Sequence, residues 1–356
     1  MTLTGSDTET RSSHVRRPYI DRVDEKELDA WFAAHGYPAF RRRQLAVWLK
    51  RQVTESRHMT DLPLSLRSQL EADFRFDHVE VLQRQVASDG ETVKYLVALD
   101  ERHQVETVSL RYRHGHSVCV SSQSGCRMGC TFCASAHRGF GRDLRAGEML
   151  AQLRLAAEDR GERVSHVVLM GIGEPFDNYD ETLDFIRRAN APEGFGIGAR
   201  HITVSTVGLV PEIRRFADEG LAANLAVSLH AANDIVRRRL LPVARRYSLN
   251  ELMAACRYYL AQTSRRLSYE YALFQNVNDQ PAAADELAAL LRGQRCHVNL
   301  IPANPVPGSE LAPSDSKRIE RFRARLEERH IAVTVRRSLG GDIAAACGQL
   351  RRDAGS

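Results

Sequence analysis

The sequence predicts an α/β fold, a partial parallel (β/α) barrel with a small N-terminal helical domain, on three observations. Short apolar runs of strand type recur between residues 118 and 335. Helical stretches separate most of them, the alternation that builds a parallel sheet. The residues best suited to chemistry fall just after these runs, where such a barrel gathers its reactive loops. A doubly wound sheet shares the alternation and remains the structural alternative at this stage.

The elements follow in order. Residues 1–18 are polar and basic and predict a disordered tail without an apolar signal core. Residues 19–85 predict a helical accessory domain: Leu28, Trp31 and Phe32, then Leu45, Trp48 and Leu49, recur at helical spacing around a turn at His35-Gly36-Tyr37. Its aromatic residues suit its own core, while Arg41-Arg42-Arg43 and Lys50-Arg51 leave a basic face. Residues 86–111 predict linking strands, Glu91 to Leu99 and Gln104 to Leu110, which alternate with period two. The barrel core spans 112–341. Its strands are expected at Val118 to Ser121, His166 to Met170, His201 to Ser205, Asn224 to Leu229, Leu267 to Phe274, His297 to Ile301 and Ile331 to Val335, with helices such as Ala146 to Glu158 and Leu249 to Thr263 between. A C-terminal segment, 342–356, carries Cys347.

With 356 residues and 43% apolar side chains, the chain can bury one large core and a small second one. It has no apolar run of about 18 residues, which predicts a cytoplasmic protein with no membrane span. Seven cysteines without an export signal argue against a disulfide framework, so metal binding, chemistry or packing must account for them. Cys256 and Cys296 sit in apolar patterns and read as packing residues. The net charge of +5 is modest, but Arg237-Arg238-Arg239 with Arg245-Arg246, like the run at Arg41, is dense enough to meet phosphates. A solvated helix face is the alternative for each.

Cys126, Cys130 and Cys133 are the most informative feature. Three thiolates hold three corners of a cubane iron–sulfur cluster and leave one iron open to a substrate. The alternative is zinc on these three with His137, although structural zinc sites usually split their ligands into two distant pairs.

Cysteines spaced in this way after a strand, with Gly171-Ile172-Gly173-Glu174-Pro175 after the next, resemble the radical S-adenosylmethionine (SAM) superfamily. The resemblance extends to Cys119-Val120-Ser121-Ser122-Gln123, Val227-Ser228-Leu229-His230, Ile301-Pro302-Ala303-Asn304-Pro305 and the stretch from Asp342 to Leu350, which together look like the RlmN/Cfr family of RNA adenosine methyltransferases. It implies a radical SAM barrel, with Cys126, Cys130 and Cys133 holding a [4Fe-4S] cluster and SAM on its open iron. Glu174, Pro175, Ser205, Ser228, Leu229, His230 and Asn304 would surround SAM. It further implies that the Cys347 thiolate accepts a methyl group, that Cys119 later forms a disulfide with Cys347 to release the product, and that Glu106 takes the ring proton.

The implied substrate is an adenosine of 23S rRNA, with tRNA as a further candidate, and the implied partner an electron donor such as flavodoxin, acting on a monomer. Two departures bear on the ring position. Leu339 stands where the carbon-2 branch usually carries arginine, and Arg111-Tyr112-Arg113 looks more like the carbon-8 branch; Pro175 and Ile301-Pro302 lean toward carbon 2. The expectation is carbon-2 methylation, with carbon 8 as the alternative. A radical enzyme acting on a non-RNA substrate and an RNA-binding protein with a structural metal centre are the rival readings.

Overall fold

The computed structural model describes residues 17–350 other than 21–22, 51–52, 54–55, 77–78, 138, 193, 307 and 337–338. The expected tail, except residues 17 and 18, and Arg51 of the first basic run therefore lie outside the described residues. The chain divides between residues 77 and 78 into two compact units.

The first unit is helical. Helix α1 (Glu25–Ala34) opens with a reciprocal cap, in which the Asp24 carboxylate accepts the Lys26 N–H at 2.8 Å and Glu27 accepts the Asp24 N–H at 3.3 Å. After the expected turn follow α2 (Ala39–Lys50) and α3 (Leu64–Asp73). Phe32, Leu45, Met59, Leu66 and Leu70 are fully enclosed, with Trp31 and Trp48 packed against them. The indole N–H groups donate to Asp73 and Asp61, so the tryptophans belong to the core rather than to an open stacking face. Of the basic run, Arg42 pairs with Glu25 and Asp29.

The second unit carries one ten-stranded sheet. Strands β1 (Glu80–Val86), β2 (Thr92–Ala98), β3 (Gln104–Tyr112) and β4 (Gly115–Cys119) are antiparallel neighbours. The strands expected to link two domains are thus continuous with the barrel sheet, and its edge strand, 80–86, begins within the stretch 19–85 that the sequence assigned to the helical domain. A short separate ribbon, β5 (Gln123–Gly125) with β6 (Phe140–Asp143), flanks the cysteine loop.

From β4 the sheet runs in parallel through β7 (Val164–Leu169), β8 (Ile202–Thr206), β9 (Asn224–Ser228), β10 (Leu267–Leu273), β11 (Cys296–Pro302) and β12 (Val333–Val335). Each strand of this sheet pairs with the strand that follows it in sequence once the separate ribbon is left aside. A doubly wound sheet reverses its order at a switch point, and this one never does, so the partial barrel is correct. The intervening helices are α4 (Ala134–His137), α5 (Ala146–Arg160), α6 (Tyr179–Asn190), α7 (Val210–Asp218), α8 (Asp234–Leu240), α9 (Leu249–Thr263), α10 (Pro281–Leu291) and α11 (Ser316–Glu328).

The period-two alternation of the strands divides labour between two faces. Val167, Val204, Leu225, Tyr269, Tyr271, Val298 and Leu300 are fully buried in the core with side chains of the helices. Burial of each such side chain stabilises the fold by about 1.5–3 kcal/mol. The residues between them, Val168, Met170, Ser205, Ser228, Glu270 and Ile301, line interior cavities instead. Cys256 is enclosed in the core and Cys296 packs against it, as expected. No helix among the described residues is long and apolar enough to cross a membrane.

Candidate active site

The segment after β4 and the loop after β7 are bound to each other through backbone. Ser122 and Gln123 donate N–H to the Ile172 carbonyl at 2.9 and 3.2 Å, the Ile172 N–H donates to Ser121 Oγ at 2.9 Å, and the Glu174 N–H donates to Gln123 Oε1 at 2.8 Å. Approach this close requires glycine: at Gly173, φ +108°, a Cβ would stand 2.7 Å from Gln123 Cβ. The zipper presents Glu174 and Pro175 to one cavity together with Cys126, Cys130, Cys133, Ser205, Ser228, His230 and Asn304. Leu229 is fully buried and does not line it.

All seven cysteines are free. Burial pushes the Cys126 thiol up to about 12 and Cys130 well above its ordinary value, so these thiols resist ionising unless a cation takes the proton's place. Cys126, Cys130 and Cys133 share the cavity, yet no three His, Cys, Asp or Glu side chains among the described residues converge as ligands of a single ion. His137 is not part of the lining; its Nδ1 is 3.8 Å from where a Cβ on Gly308 would be. Three thiols on one cavity that His137 does not line suit a cluster held by three cysteines better than the Cys3His zinc alternative.

Glu174 accepts N–H bonds from Val207 at 2.8 Å and Phe176 at 3.1 Å, but burial prevails and raises its carboxyl to about 7. His230 adopts φ +54° and its Nδ1 accepts the Ala272 N–H at 2.9 Å, which leaves the proton on Nε2. Burial, aided by the Arg237 charge, lowers its pKa to about 3, so the ring is a neutral donor at physiological pH. Hydroxyl, carboxylate, amide and imidazole groups around one cavity open to solvent suit an amino-acid-bearing nucleoside.

A second cavity adjoins the first and is lined by Cys119, Tyr112, Val168, Leu339 and Cys347. Cys347, Asn304, Met170, Ile301 and Arg336 line both. Among the bonds that hold the C-terminal segment here are Ala134 N–H to the Gly348 carbonyl at 2.8 Å, Ser135 Oγ to Leu350 O at 2.8 Å, Asn304 Nδ2 to Cys347 O at 3.2 Å, and Lys94 Nζ to Ala344 O at 3.3 Å. Burial pushes the Cys119 thiol up to about 12; the nearby Cys347 sulfur adds to this and Arg336 opposes it.

Glu106 lines neither cavity. It is buried and ion-paired with Lys94.

Arg336 and Glu270 escaped the sequence reading. Arg336 Nη1 lies 3.5 Å from Glu270 Oε2, Asn299 Nδ2 donates to Glu270 Oε1 at 2.8 Å, and Thr334 Oγ1 donates to Asn299 Oδ1 at 3.0 Å. Interaction with the Cys347 sulfur first, and then with Glu270, raises the Arg336 pKa against burial. A carboxylate inside an apolar strand, Leu267–Leu273, was the signal that could have found Glu270. Arg336 stands just past β12, at the same rim as the other site residues.

Comparison with known proteins matches this architecture. Residues 120–288 match the model of the radical SAM superfamily, and residues 21–75 that of the ribosomal RNA large subunit methyltransferase N-terminal domain. A probable dual-specificity RNA methyltransferase RlmN of Pelotomaculum thermopropionicum is 51% identical over 93% of this chain and 92% of its own. Its counterpart in Geobacillus kaustophilus is 47% identical over 94% and 92%. The crystal structure of a radical SAM methyltransferase from Sphaerobacter thermophilus superposes with a TM-score of 0.86 at 45% identity, covering 94% of this chain and 99% of the other.

Proposed function

The chain belongs to the RlmN family of radical SAM RNA methyltransferases, and from that premise we propose that it methylates carbon 2 of an adenosine in 23S rRNA, and in tRNA as a second substrate, through Cys347. The observation that carries the reading is that Cys347 lines both cavities, one shared with the three cluster cysteines and the other with Cys119. A methyl carrier has to face its donor, its acceptor and the thiol that releases it.

Cys126, Cys130 and Cys133 would hold the cluster, and Glu174, Pro175, Ser205, Ser228, Leu229, His230 and Asn304 would surround SAM, Leu229 through its backbone. When bound, these groups supply a methyl donor, one electron and a carbon-centred hydrogen abstractor. The adenine carbon is too weak a nucleophile to take a methyl group from a sulfonium directly, whereas a thiolate is a strong one. Cys347 gives up its thiol proton and accepts the methyl group. Loss of a hydrogen atom from that methyl lets its carbon add to the ring, which tethers the RNA to the protein. The adduct loses its ring proton to Glu106, which lines neither cavity and has to be uncovered for this step. Cys119 gives up its proton and bonds to the Cys347 sulfur as the carbon–sulfur bond breaks, the freed methylene carbon takes up a proton to become the methyl group, and the adduct's unpaired electron returns to the electron donor; two electrons from the same donor then reduce the disulfide to restore both thiols.

Of the segment resembling the carbon-8 branch, Tyr112 lines the second cavity and Arg111 lines neither. The Arg111 guanidinium is engaged by Glu162 at 2.6 Å. Leu339 does line the second cavity, and this favours carbon 8 as the alternative.

The test is anaerobic incubation of the reconstituted protein with methyl-labelled SAM, an electron donor such as flavodoxin, and protein-free 23S rRNA, followed by nucleoside analysis. Label in 2-methyladenosine is the expected result. Label in 8-methyladenosine would transfer the assignment to carbon 8, and RNA without label would refute the reading.

A further inference from the structure

Between residues 234 and 246 the chain places five arginines against one acidic residue, Asp234. Arg237 turns inward and is fully buried, with Nη2 donating to the Val207 carbonyl at 2.7 Å. Arg238, Arg239, Arg245 and Arg246 remain exposed, and none of them forms an ion pair with a described residue. The acids nearest in sequence are used elsewhere: Asp234 accepts the Leu249 N–H at 2.9 Å and Glu251 the Ser248 N–H at 2.8 Å. The arginine-rich helix α11 behaves differently, since Arg318, Arg323 and Arg325 pair with Asp279, Glu320 and Asp285. Amid the unpaired guanidinium groups Ile235 is 83% exposed, more than any other large apolar side chain described.

This surface adjoins the reaction site. The carbonyl of Leu240, the last residue of α8, accepts the N–H of Thr131 in the cysteine loop at 3.1 Å, and the next residue, Leu241, lines the cluster cavity. We propose that Arg238, Arg239, Arg245 and Arg246 form a docking surface for the phosphates of the substrate RNA next to its target nucleotide, with Ile235 against a base or sugar. The proposal rests on the RNA methyltransferase reading above. Uncompensated arginines beside a single apolar contact suit a nucleic-acid backbone. A protein partner would call for a contiguous apolar patch, and Ile235 stands alone.

The test measures binding of a 23S rRNA fragment to reconstituted protein by fluorescence anisotropy over a range of salt concentrations. The double variants Arg238→Gln/Arg239→Gln and Arg245→Gln/Arg246→Gln are each expected to weaken binding about tenfold or more near 0.1 M salt. Each should also flatten the slope of log K against log salt by about one to two. Iron content and SAM affinity should match the unaltered protein. The Lys/Lys counterpart of each variant keeps the charge and should keep the slope. If α8 tolerates no change and iron is lost, the second double variant, beyond the helix, still decides. Unchanged affinity and slope in both, against steep salt dependence of the unaltered protein, would overturn the surface and leave the function standing. An unaltered protein that fails to bind RNA would overturn both.

Discussion

Lys94 Nζ lies 2.9 Å from Glu106 Oε1 in the buried interior, and the same ammonium donates to the Ala344 carbonyl at 3.3 Å. One lysine therefore joins the proposed proton acceptor on β3 to the segment that carries the proposed methyl acceptor. Removal of Lys94 affects both at once.

Lys94→Met is accordingly expected to destabilise the protein by about 3–5 kcal/mol, the usual result of leaving one buried charge without its partner. Urea unfolding at pH 7 measures it. A loss below about 1 kcal/mol would mean that the pair is open to water and that the burial of Glu106 is not as described.

This pair also marks the limit of the sequence. The cysteine loop, the glycine-bounded turn after β7 and the strand ends near Ser205, Ser228 and Asn304 were legible because each follows an apolar run with strand periodicity. The burial of Glu106 was not, since period-two alternation shows which residues share a face of β3 but not that Glu106 on that face is enclosed and paired with Lys94. The same applies to Arg237: a run of three arginines looks uniform in sequence, and only the helical turn of α8 separates the one that is buried from the two that are exposed. Long-range contacts, between Lys94 and Ala344 or Ala134 and Gly348, leave no local trace.

The two-cavity position of Cys347 predicts different outcomes for the two thiols. Cys347→Ala should take up no methyl label and leave RNA binding intact. Cys119→Ala should still accept the methyl group and add to the ring, then stop before release, so that RNA stays covalently attached to the protein. Denaturing gel electrophoresis with labelled RNA reads this directly. Free methylated RNA in ordinary yield from Cys119→Ala would exclude Cys119 as the releasing thiol.

The buried neutral His230 sets a pH dependence of stability. With a folded pKa of about 3 against an ordinary value near 6.5, the unfolded chain binds a proton that the folded one refuses. The contribution is complete above about pH 6.5 and is lost as pH falls toward 3, at up to about 1.4 kcal/mol per pH unit. His230→Asn keeps a residue type that tolerates positive φ and removes the titration. Between pH 7 and pH 5 the unaltered protein should lose about 2 kcal/mol more stability than the variant, measured by urea unfolding. Equal losses would show that the ring titrates as it does in water.

Gly340 forms a tight left-handed turn ahead of Cys347, the proposed methyl acceptor. It adopts φ +66°, and a Cβ there would stand 2.7 Å from Thr92 Cγ2 and 2.8 Å from Ala345 Cβ. An alanine combines the left-handed penalty, about 1–2 kcal/mol, with a clash that only movement of the segment away from β2 relieves. Gly340→Ala should therefore keep its iron and its fold yet lose about tenfold or more of its methyl uptake at Cys347, with faster amide exchange over residues 341–350. The adjacent Gly341 provides the control, because a Cβ on it meets nothing within 4 Å and its φ is ordinary. Gly341→Ala should be nearly silent. Equal uptake in the two variants would show that the segment finds its place without the turn at Gly340, and that its hydrogen bonds to the rest of the unit are enough to hold it there.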